Sequence, residues 1–230
     1  MWDLKKVFGD EVLEVCPIND GIVAAYCCSE DDEKITVGFR KVDFSSGEVT
    51  NIQKSYYMLA KFGAQYKIAE NIVGNYLTCA AKELQGDELI IVEKDGTAHI
   101  LDENGEETKS TRLRYKGEPP KSVAVSGKYL WASFPRDDSI VRFNLKTLRE
   151  ELRLGGHPST FSQPEGIWAH GDDLYVCNSG SNSIFRISIS SYAVEEYITF
   201  DEPVHSYMCS GVHEFVWLDS GFYLLENSDF

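Results

Sequence analysis

Three oxygen-bearing side chains stand at the ends of three strongly apolar runs: Glu93 follows LIIV, Asn178 follows LYVC, and Asp219 follows FVWL. Each run begins shortly after a glycine turn, so the runs align and their last residues are equivalent. Carboxylate and amide oxygens are ligands that hard divalent cations prefer. The pattern therefore indicates a divalent-cation site. The alternative is that these side chains bond to neighbouring loops and to water at a polar surface.

A cation held in this way can support a hydrolase or lyase reaction when an acid or base stands beside the metal. Glu165 is the candidate for that role, and Ser179, His205 and Asp219 are a second set that loops can bring together. The sequence contains no G-x-S-x-G elbow, no H-E-x-x-H motif and no glycine-rich phosphate loop. The sequence therefore leaves open whether the chain is an enzyme.

A further group of residues suits ligand recognition, because aromatic side chains beside arginine and carboxylates are common at binding surfaces. The predicted ligand-binding residues are Phe134, Arg136, His157, Phe161, Glu165, Asn178, His205, Tyr207 and Asp219. Together they fit a peptide or a carbohydrate. The alternative for the aromatic residues is that they plug the centre of the fold or seal the bases of the loops.

These residues must be positioned by a sequence repeat. Each copy of the repeat contains a glycine turn followed by an apolar run. The glycines of these turns are 65, 41, 44 and 40 residues apart, and they are Gly21, Gly86, Gly127, Gly171 and Gly211. The residues before the first turn and after the last one amount together to one more repeat length. A period of about 40–50 residues that continues across the two chain ends is typical of a β-propeller.

The repeats predict an all-β fold: a five-bladed β-propeller of four-stranded antiparallel blades, in a single domain of residues 1–230. The second strand of each blade is nearly all apolar, as expected where both of its faces pack against neighbouring blades. SIVRF and SIFRI place Arg142 and Arg186 at equivalent positions. The last blade lacks one strand, and DLKKVFG (residues 3–9) has the length and pattern to supply it. Pairing the N-terminal strand with the last blade removes open sheet edges.

Because neighbouring strands in a blade are antiparallel, the connections between strands lie at two opposite ends of the blade. Turns between the first and second strands lie at one end. Turns between the second and third strands, and the connections between blades, lie at the other end, which we call the loop-rich face. His157 and His205 lie on connections between blades, so we expect them at the loop-rich face together with Glu93, Asn178 and Asp219.

The interval between Gly21 and Gly86 is longer than the others. We assign the excess to an insertion of residues 57–75 between blades one and two. Met58, Phe62 and Tyr66 recur there every four residues, which indicates one or two helical turns.

The text PEGIWAHGDDLYVCNSGSNSIFRIS (residues 164–188) resembles an NHL-type or YVTN-type propeller repeat. The shared pattern is a proline and a glycine before the first strand, a glycine turn, an apolar LYV run, Asn-Ser-Gly and an Ile-x-Arg strand. Residues 121–145 match less well, because Phe134 and Pro135 replace Asn-Ser. The resemblance implies a propeller. Such propellers include protein-binding scaffolds, lectins, lactonases and a streptogramin lyase, so the resemblance does not fix the function.

The chain has 37 acidic and 22 basic residues, and its net charge is −15. Such a surface repels phosphate backbones and anionic membranes, so we expect neither nucleic acid nor a membrane as a partner. No apolar run reaches the roughly 18 residues of a membrane helix, and the N-terminus lacks the apolar stretch of a signal peptide. We therefore expect a cytoplasmic monomer.

These features favour a binding or interaction module that recognises a protein, a peptide, a carbohydrate or another small polar ligand at the loop-rich face, without a cofactor. The alternative is a metal-dependent hydrolase or lyase of the lactonase-like propeller type, with a divalent cation at Glu93, Asn178 and Asp219.

Overall fold

The computed structural model describes residues 2–8, 12–30, 35–63, 66–67, 80–83, 88–156, 160–210 and 212–227. The strands in these ranges form antiparallel four-stranded sheets, which are the blades of a five-bladed β-propeller. This architecture confirms the predicted fold class.

Blades one to four each use one continuous segment of the chain. Blade one contains β2 (Val12–Ile18), β3 (Gly21–Glu30), β4 (Ile35–Asp43) and β5 (Val49–Asn51). Blade two contains β6 (Ala80–Glu83), β7 (Leu89–Val92), β8 (Thr97–Leu101) and β9 (Glu107–Arg112). Blade three contains β10 (Ser122–Ser126), β11 (Tyr129–Phe134), β12 (Ser139–Asn144) and β13 (Glu150–Gly155). Blade four contains β14 (Pro164–His170), β15 (Asp173–Asn178), β16 (Ser183–Ser188) and β17 (Val194–Thr199).

Blade five uses both ends of the chain. It contains β18 (Val204–Ser210), β19 (His213–Leu218), β20 (Gly221–Asn227) and β1 (Trp2–Phe8). The sheet order is β18, β19, β20 and β1. β1 runs antiparallel to β20, with Trp2 opposite Asn227 and Lys5 opposite Leu224. The predicted closure by the N-terminal strand is therefore confirmed.

Contacts group the chain into two compact units: residues 1–77 with 208–215 and 220–230, and residues 78–207 with 216–219. In the first unit, the middle strand β3 buries Ile22 and Val23, and the ring of Phe215 stacks between Phe44 and Phe222 at centroid distances of 5.1 and 5.6 Å. The single domain of residues 1–230 stays a prediction.

Two hydrophobic clusters of described residues lie on opposite sides of blade three. Leu130 and Ala132 of β11 pack with Ile90 of blade two. The alternate residue Trp131 packs with Leu174 of blade four. Because both faces of the middle strand are buried, β11 is apolar throughout rather than alternating.

Arginines on the third strands connect neighbouring elements in the second unit. The Arg142 guanidinium lies 4.0 Å from the ring centroid of Tyr129 and donates a 2.6 Å hydrogen bond to the hydroxyl of Tyr192 in blade four. Arg186 is the equivalent residue of β16, and its guanidinium lies 5.9 Å from the ring centroid of Tyr197. The shared Arg position therefore serves packing at the blade edges.

Part of the segment after blade one forms helix α1 (Lys54–Phe62), which begins three residues before the predicted insertion. The helix buries Tyr57, Met58 and Phe62 against blade one, and the Tyr57 hydroxyl donates a 3.0 Å hydrogen bond to Glu14. In the ranges that the structure describes, no helix is long and apolar enough to cross a membrane.

Candidate functional site

Three charged residues occupy equivalent positions at the start of the first strands of blades three, four and five. The aligned texts are KSVAV, EGIWA and HSYMC, which begin at Lys121, Glu165 and His205. Lys121 directly precedes β10, and Glu165 and His205 are the second residues of β14 and β18. The strand start faces the connection from the previous blade, so the antiparallel order places these residues at the loop-rich face.

The His205 imidazole lies between two carboxylates. Its Nδ1 is 3.0 Å from Oε2 of Glu165, and its Nε2 is 2.5 Å from Oδ1 of Asp219, the residue after β19. The Nζ of Lys121 is 3.9 Å from the same Glu165 oxygen. We call Lys121, Glu165, His205 and Asp219 the His205 cluster.

Close packing of the first strands of blades four and five places Glu165 beside His205. A Cβ atom on Gly166 would lie only 2.5 Å from the carbonyl oxygen of His205 and 3.2 Å from the Sγ of Cys177. Only glycine permits this approach of the two backbones. On the other side, the Ser133 hydroxyl of blade three donates a hydrogen bond to the Glu165 carbonyl oxygen. The backbone at Glu165 is therefore fixed from both neighbouring blades.

The cluster keeps His205 protonated. The hydrogen bond to Glu165 raises the pKa of His205 to about 9; partial burial opposes this rise, and the hydrogen bond to Asp219 adds to it. Burial acts to raise the pKa of Glu165, but the hydrogen bond from His205 and the charge of Lys121 outweigh burial and leave it below its usual range. At neutral pH His205 is an imidazolium that donates from both nitrogens. It is therefore suited to electrostatic recognition rather than to accepting a proton as a general base.

The structure places the three predicted cation ligands in three separate hydrogen-bond networks. The buried Asn178 amide accepts from the Ser162 backbone N–H at 2.6 Å and donates to the Ser181 hydroxyl at 2.5 Å. Glu93 contacts His99, whereas Asp219 contacts His205. Among the residues that the structure describes, no group of three or more His, Cys, Asp and Glu side chains is arranged to hold a metal ion.

The His205 ring also separates the carboxylates of Glu165 and Asp219. Protein oxygens bind Ca²⁺ at roughly 2.3–2.6 Å and Mg²⁺ at roughly 2.0–2.1 Å. A Ca²⁺ or Mg²⁺ ion bound to the two oxygens that face His205 would therefore have to replace the imidazole ring between them.

The predicted aromatic ligand-binding residues lie in the hydrophobic interior. Each of their rings packs against another aromatic ring. The distances between ring centroids are 5.5 Å for Phe134 and Tyr115, 6.3 Å for Phe161 and Phe185, and 4.8 Å for Tyr207 and Tyr175. All three predicted residues are buried. Their role in ligand binding stays a prediction.

The remaining predicted residues differ in placement. The Arg136 side chain is exposed and donates a 2.7 Å hydrogen bond to Glu118. His157 lies outside the described residues. Glu165, His205 and Asp219 come together in the His205 cluster.

Two residues of this region were not predicted. The half-buried indole of Trp217 has its ring centroid 5.7 Å from that of His205. Lys121 was identifiable from the alignment of the first strands, because it stands where Glu165 and His205 stand in the next two blades. Trp217 carries no comparable signal, since it lies within the continuous apolar run FVWL of β19.

Comparison with known proteins supports the fold. No family model and no curated protein matches the chain. Among solved structures, virginiamycin B lyase from Staphylococcus aureus is similar with a TM-score of 0.56 at 14% identity, over 100% of this chain and 87% of that chain. The WD40 β-propeller domain of Doa1 is similar with a TM-score of 0.55 at 13% identity, over 95% of this chain and 64% of that chain. At such identities the likeness shows a β-propeller and no particular activity.

Proposed function

We propose that this chain is a binding module that recognises a protein, a peptide or a small polar ligand through the loop-rich face of blades three to five. The observation that carries the proposal is the His205 cluster, in which three successive blades and the end of β19 contribute charged side chains to one place. Its side chains are accessible, from 23% exposed for Glu165 to 58% for Lys121.

A second set of charges lies close by in sequence and supports the same face. Lys116 contacts Asp137, and Arg136 contacts Glu118 at 2.7 Å. These residues lie on the connection into blade three and on the turn after β11. Alternating charges give an interface orientation and specificity.

The structural neighbours are compatible with this proposal without selecting it, since they include a WD40 domain and a lyase. We also propose that the repeat belongs to the NHL or YVTN type, on the residues 164–188 that carry the resemblance. Cofactor-independent recognition is the simplest function for a cluster whose charges are already paired with one another.

A ligand screen with matched variants tests the proposal. Ligand-observed NMR would be run with separate sets of amines, carboxylates, saccharides and short peptides against the wild type and against E165Q/H205Q/D219N. Blade two offers the matched control E93Q/H99Q/E107Q, because these residues form a similar carboxylate–histidine–carboxylate arrangement. Circular dichroism would confirm that both variants fold.

We expect at least one ligand set to bind the wild type and the blade-two variant, and to lose binding to E165Q/H205Q/D219N. If no set binds the wild type, or if binding survives the three substitutions at the His205 cluster, the loop-rich face of blades three to five is not the recognition surface.

A further inference from the structure

The carboxylates of the His205 cluster have oxygen atoms that its cationic groups do not contact. The ammonium of Lys121 and the Nδ1 of His205 both face Oε2 of Glu165, and the Nε2 of His205 faces Oδ1 of Asp219. The structure shows no donor from the described residues at Oε1 of Glu165 or at Oδ2 of Asp219. Each carboxylate therefore has one oxygen available to a ligand's N–H donor.

An aromatic ring lies beside the histidine of the cluster. Trp217 is two residues before Asp219, and its ring is tilted by 56° to that of His205. Among aromatic side chains, the indole of tryptophan attracts a cation over its face most strongly. An ammonium or guanidinium group bound beside His205 would therefore also lie near the Trp217 indole.

The charges of the chain favour the same ligand. Both ring nitrogens of His205 already face carboxylates, so an anionic ligand would have to displace Glu165 or Asp219 to bind this imidazolium. The net charge of −15 also steers cations toward the chain and anions away from it.

We propose that the His205 cluster binds an organic cation, whose ammonium or guanidinium group is held by the carboxylates of Glu165 and Asp219 beside the indole of Trp217. This inference rests on the proposed binding function and names the chemistry of its ligand. The cation is either the side chain of a Lys or Arg residue in a partner polypeptide or a free small amine.

Isothermal titration calorimetry with defined probes tests the inference. Butylguanidinium represents the free cation, N-acetyl-Gly-Arg-Gly-amide represents the polypeptide source, and butyrate represents an anion. We expect both cations to bind the wild type and butyrate not to bind. Glu165→Gln and Asp219→Asn should each weaken cation binding about tenfold or more, since each removes a charge-assisted hydrogen bond.

Two further variants distinguish recognition of a cation from recognition of an anion. Trp217→Leu should weaken cation binding about fivefold, as expected for loss of a cation–π contact. Lys121→Ala should strengthen it about threefold, because a like charge next to Glu165 is removed. The matched control Glu107→Gln changes a carboxylate beside the histidine of blade two and should leave the affinity unchanged.

The outcomes distinguish this inference from the proposed function. If butyrate binds and Lys121→Ala weakens its binding, the cluster recognises anions; the inference is then wrong while the binding module stands. If neither cation binds, the inference is wrong, and the ligand screen decides on the binding module. Peptide binding at least about tenfold tighter than butylguanidinium binding supports a polypeptide partner, and equal affinities support a free amine.

Discussion

Blades two and five both contain a histidine whose two ring nitrogens face two carboxylates. In blade two, His99 Nε2 is 2.8 Å from Glu93 and His99 Nδ1 is 2.6 Å from Glu107. In blade five, the corresponding distances for His205 are 2.5 Å to Asp219 and 3.0 Å to Glu165. The local chemistry of the two histidines is therefore almost the same.

The two arrangements differ in where their members come from. Glu93, His99 and Glu107 belong to one continuous segment of blade two, and the His99 side chain is 13% exposed. The His205 side chain is 27% exposed, and its partners come from blade four and from the end of β19, with Lys121 of blade three added. The comparison teaches that the same three groups can lie within one blade, as around His99, or can join neighbouring blades, as around His205.

The largest expected effect concerns the assembly of blade five from both chain ends, which has no counterpart in blade two. Deleting residues 2–8 removes β1 and leaves the edge of β20 unpaired. We expect the melting temperature to fall by about 10 °C or more, because an edge strand of the closed fold is lost. Differential scanning calorimetry measures this change, with the exposed-site variant Leu4→Ala as the control. A deletion variant that melts within about 2 °C of the wild type would show that β1 does not close the fold.

The second effect tests the contact between blades on which the His205 cluster depends. Gly166→Ala places a methyl group against the His205 carbonyl oxygen and the Cα of Ser206. We expect a loss of about 1–3 kcal/mol in the free energy of unfolding, as for other overpacked sites. The control is Gly47→Ala, where no atom lies within 4 Å of the added Cβ and φ is +68°; its cost should be limited to the roughly 1 kcal/mol of left-handed strain. Urea unfolding compares the two variants, and equal losses would argue against close packing at Gly166.

The third effect is the pH dependence of the stability that His205 contributes. Because the pKa of His205 is raised from 6.5 to about 9 in the folded chain, its protonated form stabilises the fold fully below pH 6.5. This stabilisation is lost as the pH rises through 9. After allowance for solvent screening, we expect His205→Gln to lower the free energy of unfolding by about 1–2 kcal/mol at pH 7. At pH 10.5 the same substitution should lower it much less. Urea titrations at both pH values measure the loss, with His99→Gln as the comparison. A cost for His205→Gln that is the same at both pH values would contradict the ion pairs of the cluster.

The smallest effect concerns Lys121. Its side chain is 58% exposed and its ammonium is 3.9 Å from a carboxylate oxygen of Glu165, and exposed pairs of this kind contribute about 0–1 kcal/mol. We therefore expect Lys121→Ala to change the free energy of unfolding by less than about 0.5 kcal/mol, measured by the same urea titrations at pH 7. A loss above about 2 kcal/mol would mean that Lys121 is a structural residue of blade three.

The fold could be predicted from the sequence because its signals are local and repeated. In blade three, the glycine turn and the apolar second strand predict strands over residues 122–126, 129–134 and 139–144, and β10, β11 and β12 have these bounds. The missing strand of the last blade likewise predicts the pairing of β1 with β20, since an open blade needs a partner.

The site was harder to predict because it depends on contacts between sheets. Glu165, His205 and Asp219 were each predicted as site residues, but a strand pattern does not show which first strands pack closely enough to bring them together. Gly166 makes that approach possible, but a glycine within a strand can equally mark a bulge or a tight bend. The aromatic residues show the same difficulty: where both faces of a sheet are buried, alternation does not distinguish a rim residue from Phe134 in the interior.

An NMR pH titration of the His205 imidazole tests most directly the central claim that this ring lies charged between Glu165 and Asp219. We expect a pKa of about 9 in the wild type and a lower value in both E165Q and D219N, with E107Q unchanged from the wild type. A wild-type value near 6.5, unaffected by either substitution, would contradict the account.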